Sequence, residues 1–255
     1  MTTTLLPDAS AAAAATPAAT TWDEPEGIAP RGTLILLTGR GDSAASYARF
    51  SRRLSADAYK VRIVEVDLDD LAAARARVEQ LLDDASLPAP RVLVGSDTGA
   101  TLAGLLVGEL PVDAAVLAGI ALPSAAAGTA DGDVAWDDEL EARSACPAYR
   151  KVISEDGSFE RGALAQPLPW ESVALSVPAQ PLLVLHGRVD PVTTVGEALA
   201  PWVGAASVRQ HVVEGGRHDI LNDVTHRSVA ATIVLFLERL KLGADLPVIV
   251  RGVGA

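Results

Sequence analysis

The segment RVLVGSDTGATLAGLL, Arg91 to Leu106, places an aspartate between two glycines, so that Gly95 and Gly99 bracket Asp97 in the order Gly-x-Asp-x-Gly. A strand that turns sharply into a helix in this register strains its central residue and leaves no room for side chains at the flanking positions. That is why a nucleophile carried on such a turn is framed by glycines. The Asp97 carboxylate is ionised near neutral pH and can attack an alkyl carbon directly. Read as a plain turn, GSDTG would use Asp97 only to cap the helix that follows.

Two further segments supply the partners such a nucleophile needs. In LLVLHGRVDP an apolar strand ends at His186 and is followed by Asp190, from which a carboxylate reaches the top edge of a parallel sheet. In VVEGGRHDILND, His218 sits in a glycine-rich loop between a strand and the final helix. Asp97, Asp190 and His218 thus appear in the chain order nucleophile, acid, base. The backbone N–H groups of Thr98 and of Arg40, in the loop after the first strand, would form an oxyanion hole, and Arg40 is placed to pair with Asp97 and lower its pKa. His186 reads as structural support for the turn that carries Asp190, and His211 and His226 as packing or surface residues. Asp219, next to His218, reads as a cap for the final helix. Gly39 and Gly41 in LLTGRGDS lack the lysine of a phosphate loop.

The elements that must position these groups are legible as short runs rich in Val, Leu and Ile at Thr33 to Leu37, Val61 to Val66, Arg91 to Val94, Ala114 to Ala118, Leu182 to His186 and Val208 to Val213. Helix-period segments separate most of them, at Ser46 to Ala56, Asp70 to Asp84, Thr98 to Glu109 and His226 to Leu242. The alternation predicts an α/β fold with a mostly parallel sheet covered by helices on both faces. The expected division is a flexible N-terminal tail and lead-in over 1–30, a core over 31–120 and 179–242, a cap insertion over 121–178 and a C-terminal extension over 243–255. The tail reading rests on the Ala- and Thr-rich run from Thr2 to Thr21. In the insertion strand signals vanish and Pro, Gly and acidic residues accumulate, and a helix is expected within Trp136 to Lys151.

On these residues the chain resembles the α/β-hydrolase superfamily, and specifically its monoglyceride lipase and lysophospholipase-like branch, in which GGRH, an acidic residue and IL.N surround the catalytic histidine. The resemblance covers roughly residues 31 to 242 without the insertion. That branch normally carries serine where Asp97 stands, and a His-Gly pair where this chain has Thr38-Gly39-Arg40. An aspartate at the elbow instead resembles epoxide hydrolases and haloalkane dehalogenases, whose VGxDxG motif is matched by Val94 to Gly99. The resemblance implies an alkyl-enzyme ester on Asp97, hydrolysed by water that His218 activates with Asp190 behind it. Attack of a carboxylate on an ester carbonyl would give an anhydride, so plain esterase action through Asp97 is disfavoured. Epoxide hydrolases of this fold use two cap tyrosines, and the insertion holds only Tyr149. Dehalogenases place a tryptophan after the nucleophile, where this chain has Thr98. A lyase or isomerase using Asp97 or His218 as proton carrier, and a retired hydrolase fold used for binding, are the alternative readings.

Ser96, Tyr149 and Trp136 are candidates for lining a substrate pocket, with Phe159 and Trp170 as further aromatics that could equally form the insertion's own core. The expected substrate is a small or medium organic molecule with an apolar part, and no cofactor or metal is expected, because no His, Cys and carboxylate spacing matches a ligand motif. With 33 acidic against 21 basic residues the formal charge is −12, which repels phosphate backbones and argues against nucleic acid as a partner. No run is long enough for membrane insertion. The single Cys146, without a disulfide partner in the chain, and the lack of a secretory signal pattern lead to an expected cytoplasmic location. The extension around Leu246 to Val250 is long enough to pack on its own sheet or on a neighbour, leaving a homo-oligomer possible.

Overall fold

The computed structural model describes residues 20–123 and 135–251. Their strands are β1 (Thr20–Trp22), β2 (Gly32–Leu37), β3 (Tyr59–Val64), β4 (Arg91–Asp97), β5 (Ala114–Ile120), β6 (Leu182–Gly187) and β7 (Val208–Val213). Together they form one sheet in the order β1-β3-β2-β4-β5-β6-β7, with only β1 antiparallel to its neighbour. Each of the six expected strand runs falls on one of β2 to β7. β1 is an addition: Thr20 and Thr21, assigned from sequence to the tail, pair with Ile63 and Arg62 of β3. Three polar-flanked residues are too few to show a strand period. The rest of that tail, residues 1–19, lies outside the described residues.

Alternation along the strands sorts side chains onto two faces. Leu34 and Leu36 of β2 join Val92 and Val94 on one side, under α1 (Ala48–Ala56) and α7 (His226–Leu240). Ile35, Leu37 and Leu93 face the other way, under α2 (Leu71–Asp83) and α3 (Thr98–Leu106). Strands buried on both faces read as continuous apolar runs, which is why the sequence showed them clearly. From the C-terminal extension, Leu246 enters the first of these clusters and Arg239 Nε donates to the carbonyls of Leu246 and Pro247, so this part of the extension packs on its own domain.

The insertion contributes α4 (Trp136–Arg143) and α5 (Pro147–Glu155), where a helix was expected within Trp136 to Lys151. Pro147 separates the two, since proline suits the first position of a helix and not its interior. Leu140, Cys146, Tyr149, Ile153 and Phe159 make a small core of their own, with Trp136 packed against it. Residues 124–134 of the insertion are outside the described residues.

From β2 the chain moves first to β3 on one side and then to β4 on the other, so the loops after β2 and β4 diverge and leave a crevice at their carboxyl ends. The loop after β2 carries Arg40, and Asp97 is the last residue of β4. The loop after β7, with His218, is pressed against the end of β5: a Cβ on Gly119, at φ +55°, would lie 2.1 Å from the His218 carbonyl oxygen. Gly119→Ala therefore combines a left-handed backbone with a main-chain overlap. We expect it to cost about 2 kcal/mol or more, read as a lower urea midpoint at unchanged m-value; a loss below 0.5 kcal/mol, within the range of an ordinary surface change, would show that the His218 loop is not wedged against β5.

Candidate active site

Asp97 closes β4 at φ 52° and ψ −121°, a conformation that costs a non-glycine residue of order 1–3 kcal/mol and persists only where its surroundings impose it. The glycines on either side are required by contact: a Cβ on Gly95 would fall 2.2 Å from the Gly99 carbonyl, and one on Gly99 would fall 2.3 Å from that of Leu37. The Asp97 side chain does not cap α3. It points instead into the crevice, fully buried, where five donor contacts converge on its two oxygens. Oδ2 accepts the Arg40 main-chain N–H at 2.8 Å and Arg40 Nε at 2.9 Å. Oδ1 accepts Arg40 Nη2 at 2.8 Å and His218 Nε2 at 2.9 Å, with Arg40 Nε more distant at 3.3 Å.

On the far side of the ring, His218 Nδ1 lies 2.9 Å from Asp190 Oδ2. The three residues singled out from sequence are therefore brought into one chain of hydrogen bonds. Ionised carboxylates only accept, so with Asp97 and Asp190 both charged the geometry suits a ring protonated at both nitrogens, an imidazolium. Burial disfavours that charge, but Asp190 and Asp97 outweigh it and raise the His218 pKa to about 10. Asp97 is held well below the usual carboxylate range against the opposing effect of burial, chiefly by the Arg40 charge and then by His218. Asp190 is likewise lowered despite burial, by His218 and His186. It is braced by the N–H of Val192 at 2.8 Å, while His186 Nε2 sits 2.7 Å from the Thr193 carbonyl and 3.1 Å from Asp190 Oδ2. Burial lowers the His186 pKa, and its Nδ1 has no partner among the described residues, as in a neutral ring donating from Nε2.

Arg40 is anchored beyond Asp97. Its Nη1 donates to the carbonyls of Leu164 and Gln166 in the insertion, at 2.9 and 3.0 Å, and its own carbonyl accepts from Arg143 Nη2 at 2.7 Å. Thr98 opens α3 beside Asp97, with a buried hydroxyl that has no partner among the described residues. Ser96 is buried behind the elbow next to the Tyr47 hydroxyl. Tyr149 and Trp136 are not brought to Asp97: Tyr149 donates to Asp219 at 2.9 Å, and Trp136 packs edge-on to Phe159 with ring centres 5.6 Å apart.

A second buried cluster lies alongside and was not visible in the sequence. Arg143, at the end of α4, faces Glu139 at 3.0 Å and Asp42 and Asp219 at 3.4 Å each, with no exposure of its own side chain. Asp219 is therefore not a helix cap, a correction to the reading from sequence; α7 begins seven residues further on, and the Asp219 N–H donates to the Arg143 carbonyl at 2.8 Å. With three acids around one guanidinium, burial pushes Asp42 up to about 7 and raises Asp219 too. The only sequence trace of this cluster is the Glu139 and Arg143 spacing on one helix face. Among the described residues no group of His, Cys, Asp and Glu is arranged to hold a metal, and no helix is long and apolar enough to cross a membrane.

No family model matches the sequence, and no curated protein matches it. Solved structures do. A soluble variant of monoglyceride lipase from Saccharomyces cerevisiae, in complex with a substrate analog, superposes with a TM-score of 0.66 at 13% identity, over 87% of this chain and 91% of that one. The monoacylglycerol lipase of Paleococcus ferrophilus gives 0.64 at 16% identity, over 86% and 98%. YbtT, a type II thioesterase from the yersiniabactin pathway, gives 0.62 at 18%, over 88% and 99%. At such identities the likeness is one of fold, and together with the parallel sheet it establishes that this chain has the α/β-hydrolase fold.

The raised His218 pKa has a consequence for stability. An unfolded histidine titrates near 6.5, so between 6.5 and about 10 the folded chain holds a proton that the unfolded chain has lost. The stabilisation is complete below pH 6.5 and is lost as pH rises through the window, at up to about 1.4 kcal/mol per pH unit. Asp42, also raised, adds a fall of the same sign below pH 7. His218→Gln is expected to flatten the decline above pH 6.5, measured as the urea unfolding free energy of both proteins across that window. Parallel declines in wild type and variant would mean that His218 is not charged in the fold.

Proposed function

We propose that the chain is an Asp-nucleophile α/β-hydrolase that opens a strained cyclic ether of the epoxide type. The observation that carries this reading is the position of His218 between two carboxylates. It implies a resting quartet of Arg40⁺, Asp97⁻, His218⁺ and Asp190⁻, neutral in sum and closed to water.

The protons and charges then balance over a cycle. Asp97 Oδ1 attacks a ring carbon and the C–O bond breaks; the departing alkoxide takes the proton from His218 Nε2, leaving a neutral imidazole and an ester on Asp97. His218, oriented by Asp190, now accepts a proton from water as the hydroxide adds to the ester carbonyl. Oδ2, which faces the Arg40 N–H in the resting state, is the oxygen on which charge develops, so that N–H serves as an oxyanion donor. Collapse releases the diol, and the proton returns Asp97 and His218 to their starting charges. A halide leaving group consumes no proton and would leave His218 charged and unable to act as base, so ring opening suits this resting state better than dehalogenation. The low pKa of Asp97 likewise makes it a poor base, which weighs against a lyase or isomerase that abstracts a proton with it.

One observation favours a second reading. Arg40 and His218 occupy both oxygens of Asp97 and nothing of the carboxylate is exposed, as in a retired hydrolase fold whose former site has become a structural ion network. A single turnover of styrene oxide or a small aliphatic epoxide in ¹⁸O-water separates the two. The ester route puts one ¹⁸O into the Asp97 carboxylate, read as a gain of ~2 Da on its peptide; loss of label in Asp97→Asn and in His218→Gln is expected. Diol formed without label on Asp97, or no turnover across an epoxide panel, would contradict the ester mechanism.

A further inference from the structure

The Arg40 N–H that faces Asp97 Oδ2 is held from both sides by residues that keep their charge and partners through the cycle. Before it, the Gly39 N–H donates to the Tyr47 hydroxyl at 3.1 Å. After it, the Arg40 carbonyl accepts from Arg143 Nη2 at 2.7 Å. Asp42 joins the two holders: its Oδ2 accepts the Tyr47 O–H, and its Oδ1 faces Arg143 Nη1 at 3.4 Å. Tyr47, Asp42 and Arg143 are all buried. The loop they hold packs directly on the nucleophile, since a Cβ on Gly39 would lie 2.8 Å from that of Asp97. The end of α4 reaches the base as well, with the His218 N–H 3.3 Å from the Ala142 carbonyl and the Asp219 N–H 2.8 Å from that of Arg143.

These holders matter most once the ester has formed. In the resting state the Arg40 N–H is drawn to a carboxylate, and a hydrogen bond to a charged acceptor is roughly twice as strong as one to a neutral acceptor. The ester carbonyl on Asp97 is neutral until water adds, so the N–H then keeps its place through what fixes the main chain around it. The contacts of Nη1 with Leu164 and Gln166 hold the far end of a long side chain and not the peptide. A misplacement of about 1 Å in such a site can cost on the order of a hundredfold in rate.

We propose that Tyr47 and Arg143 are positioning residues of the Asp97 site, clamping the main chain on both sides of the Arg40 N–H so that it stays on Oδ2 through ester hydrolysis. This rests on the Asp97 reading above. Through Arg143 the insertion becomes part of the support of the oxyanion loop.

The clamp acts on ester hydrolysis more than on ester formation, and a single turnover of styrene oxide in ¹⁸O-water separates the two steps when the Asp97 adduct is followed by intact mass together with the diol. Tyr47→Phe keeps the ring and loses the acceptor for Gly39. Arg143→Lys keeps the charge but not the planar fork that reaches Asp42, Asp219 and the Arg40 carbonyl together. In each variant adduct decay is expected to slow at least about tenfold while adduct formation changes less than about threefold, so that ester accumulates. A merely structural role would lower both rates with the folded fraction. With Asp97 labelled in wild type, no more adduct per diol than wild type in either folded variant overturns the proposal and leaves the Asp97 mechanism standing; should Arg143→Lys not fold, Tyr47→Phe decides. If wild type puts no ¹⁸O on Asp97, the Asp97 reading fails, and deuterium exchange of the Arg40 amide, read by NMR against that of Val94, decides the clamp. Exchange at least about tenfold faster in the folded variants supports it, and exchange equal to wild type overturns it.

Discussion

A carboxylate has no hydrogen to give, so an imidazole held between two of them must keep both of its protons. In this chain that constraint governs the crevice. His218 lies 2.9 Å from Asp97 on one side and 2.9 Å from Asp190 on the other, and an extra positive charge therefore has to be accommodated inside the fold. Asp97 answers two cations at once, Arg40 and His218, and its own ionisation is secured by them. Removal of any one member leaves an uncompensated buried charge, a loss of order 3–5 kcal/mol, so the quartet acts as a unit.

The scaffold concentrates these charges by bringing the ends of four strands to one edge of the sheet. β2 and β4 part at the switch point and present Arg40 and Asp97, while β6 and β7 deliver Asp190 and His218. Next to the quartet, Arg143 ties the insertion to the Arg40 carbonyl, to Asp42 and to Asp219. The insertion is thus joined to the crevice by ions as well as by carbonyls. The strain at Asp97 is sustained because Gly95 and Gly99 admit the neighbouring main chain at distances no side chain would allow.

Much of this was legible in the sequence, for particular physical reasons. Doubly buried parallel strands read as unbroken apolar runs, and an elbow can only be written with glycines on both sides, so β4, Asp97 and its neighbours stood out. Asp190 stands out because it follows such a strand, β6, and His218 because it sits in a glycine-rich loop between β7 and the final helix. The pairing of Arg40 with Asp97 was anticipated from the loop's position. What stayed hidden were contacts made across the chain: Asp42, Arg143 and Asp219 are far apart in sequence and become partners only when the insertion folds over the sheet edge. From sequence Asp219 reads as a helix cap because acids near helix starts are common, and nothing local distinguishes one that turns inward toward Arg143. Trp136 and Tyr149 were natural pocket candidates by type, yet a small insertion must first use its aromatics to build a core. β1 escaped notice for the opposite reason, its three residues being held by pairing with β3 and not by pattern.

The charge state of His218 is the claim on which the rest depends, and nitrogen-15 NMR of the histidine side chains reads it directly. At pH 8 the account requires both His218 ring nitrogens to carry protons, with shifts of a charged ring and coupled hydrogens on each, persisting until the pH nears 10. A His218 ring that shows one unprotonated, pyridine-like nitrogen at pH 8 would contradict it, because the quartet would then lack a cation and the proton for ring opening would have no source.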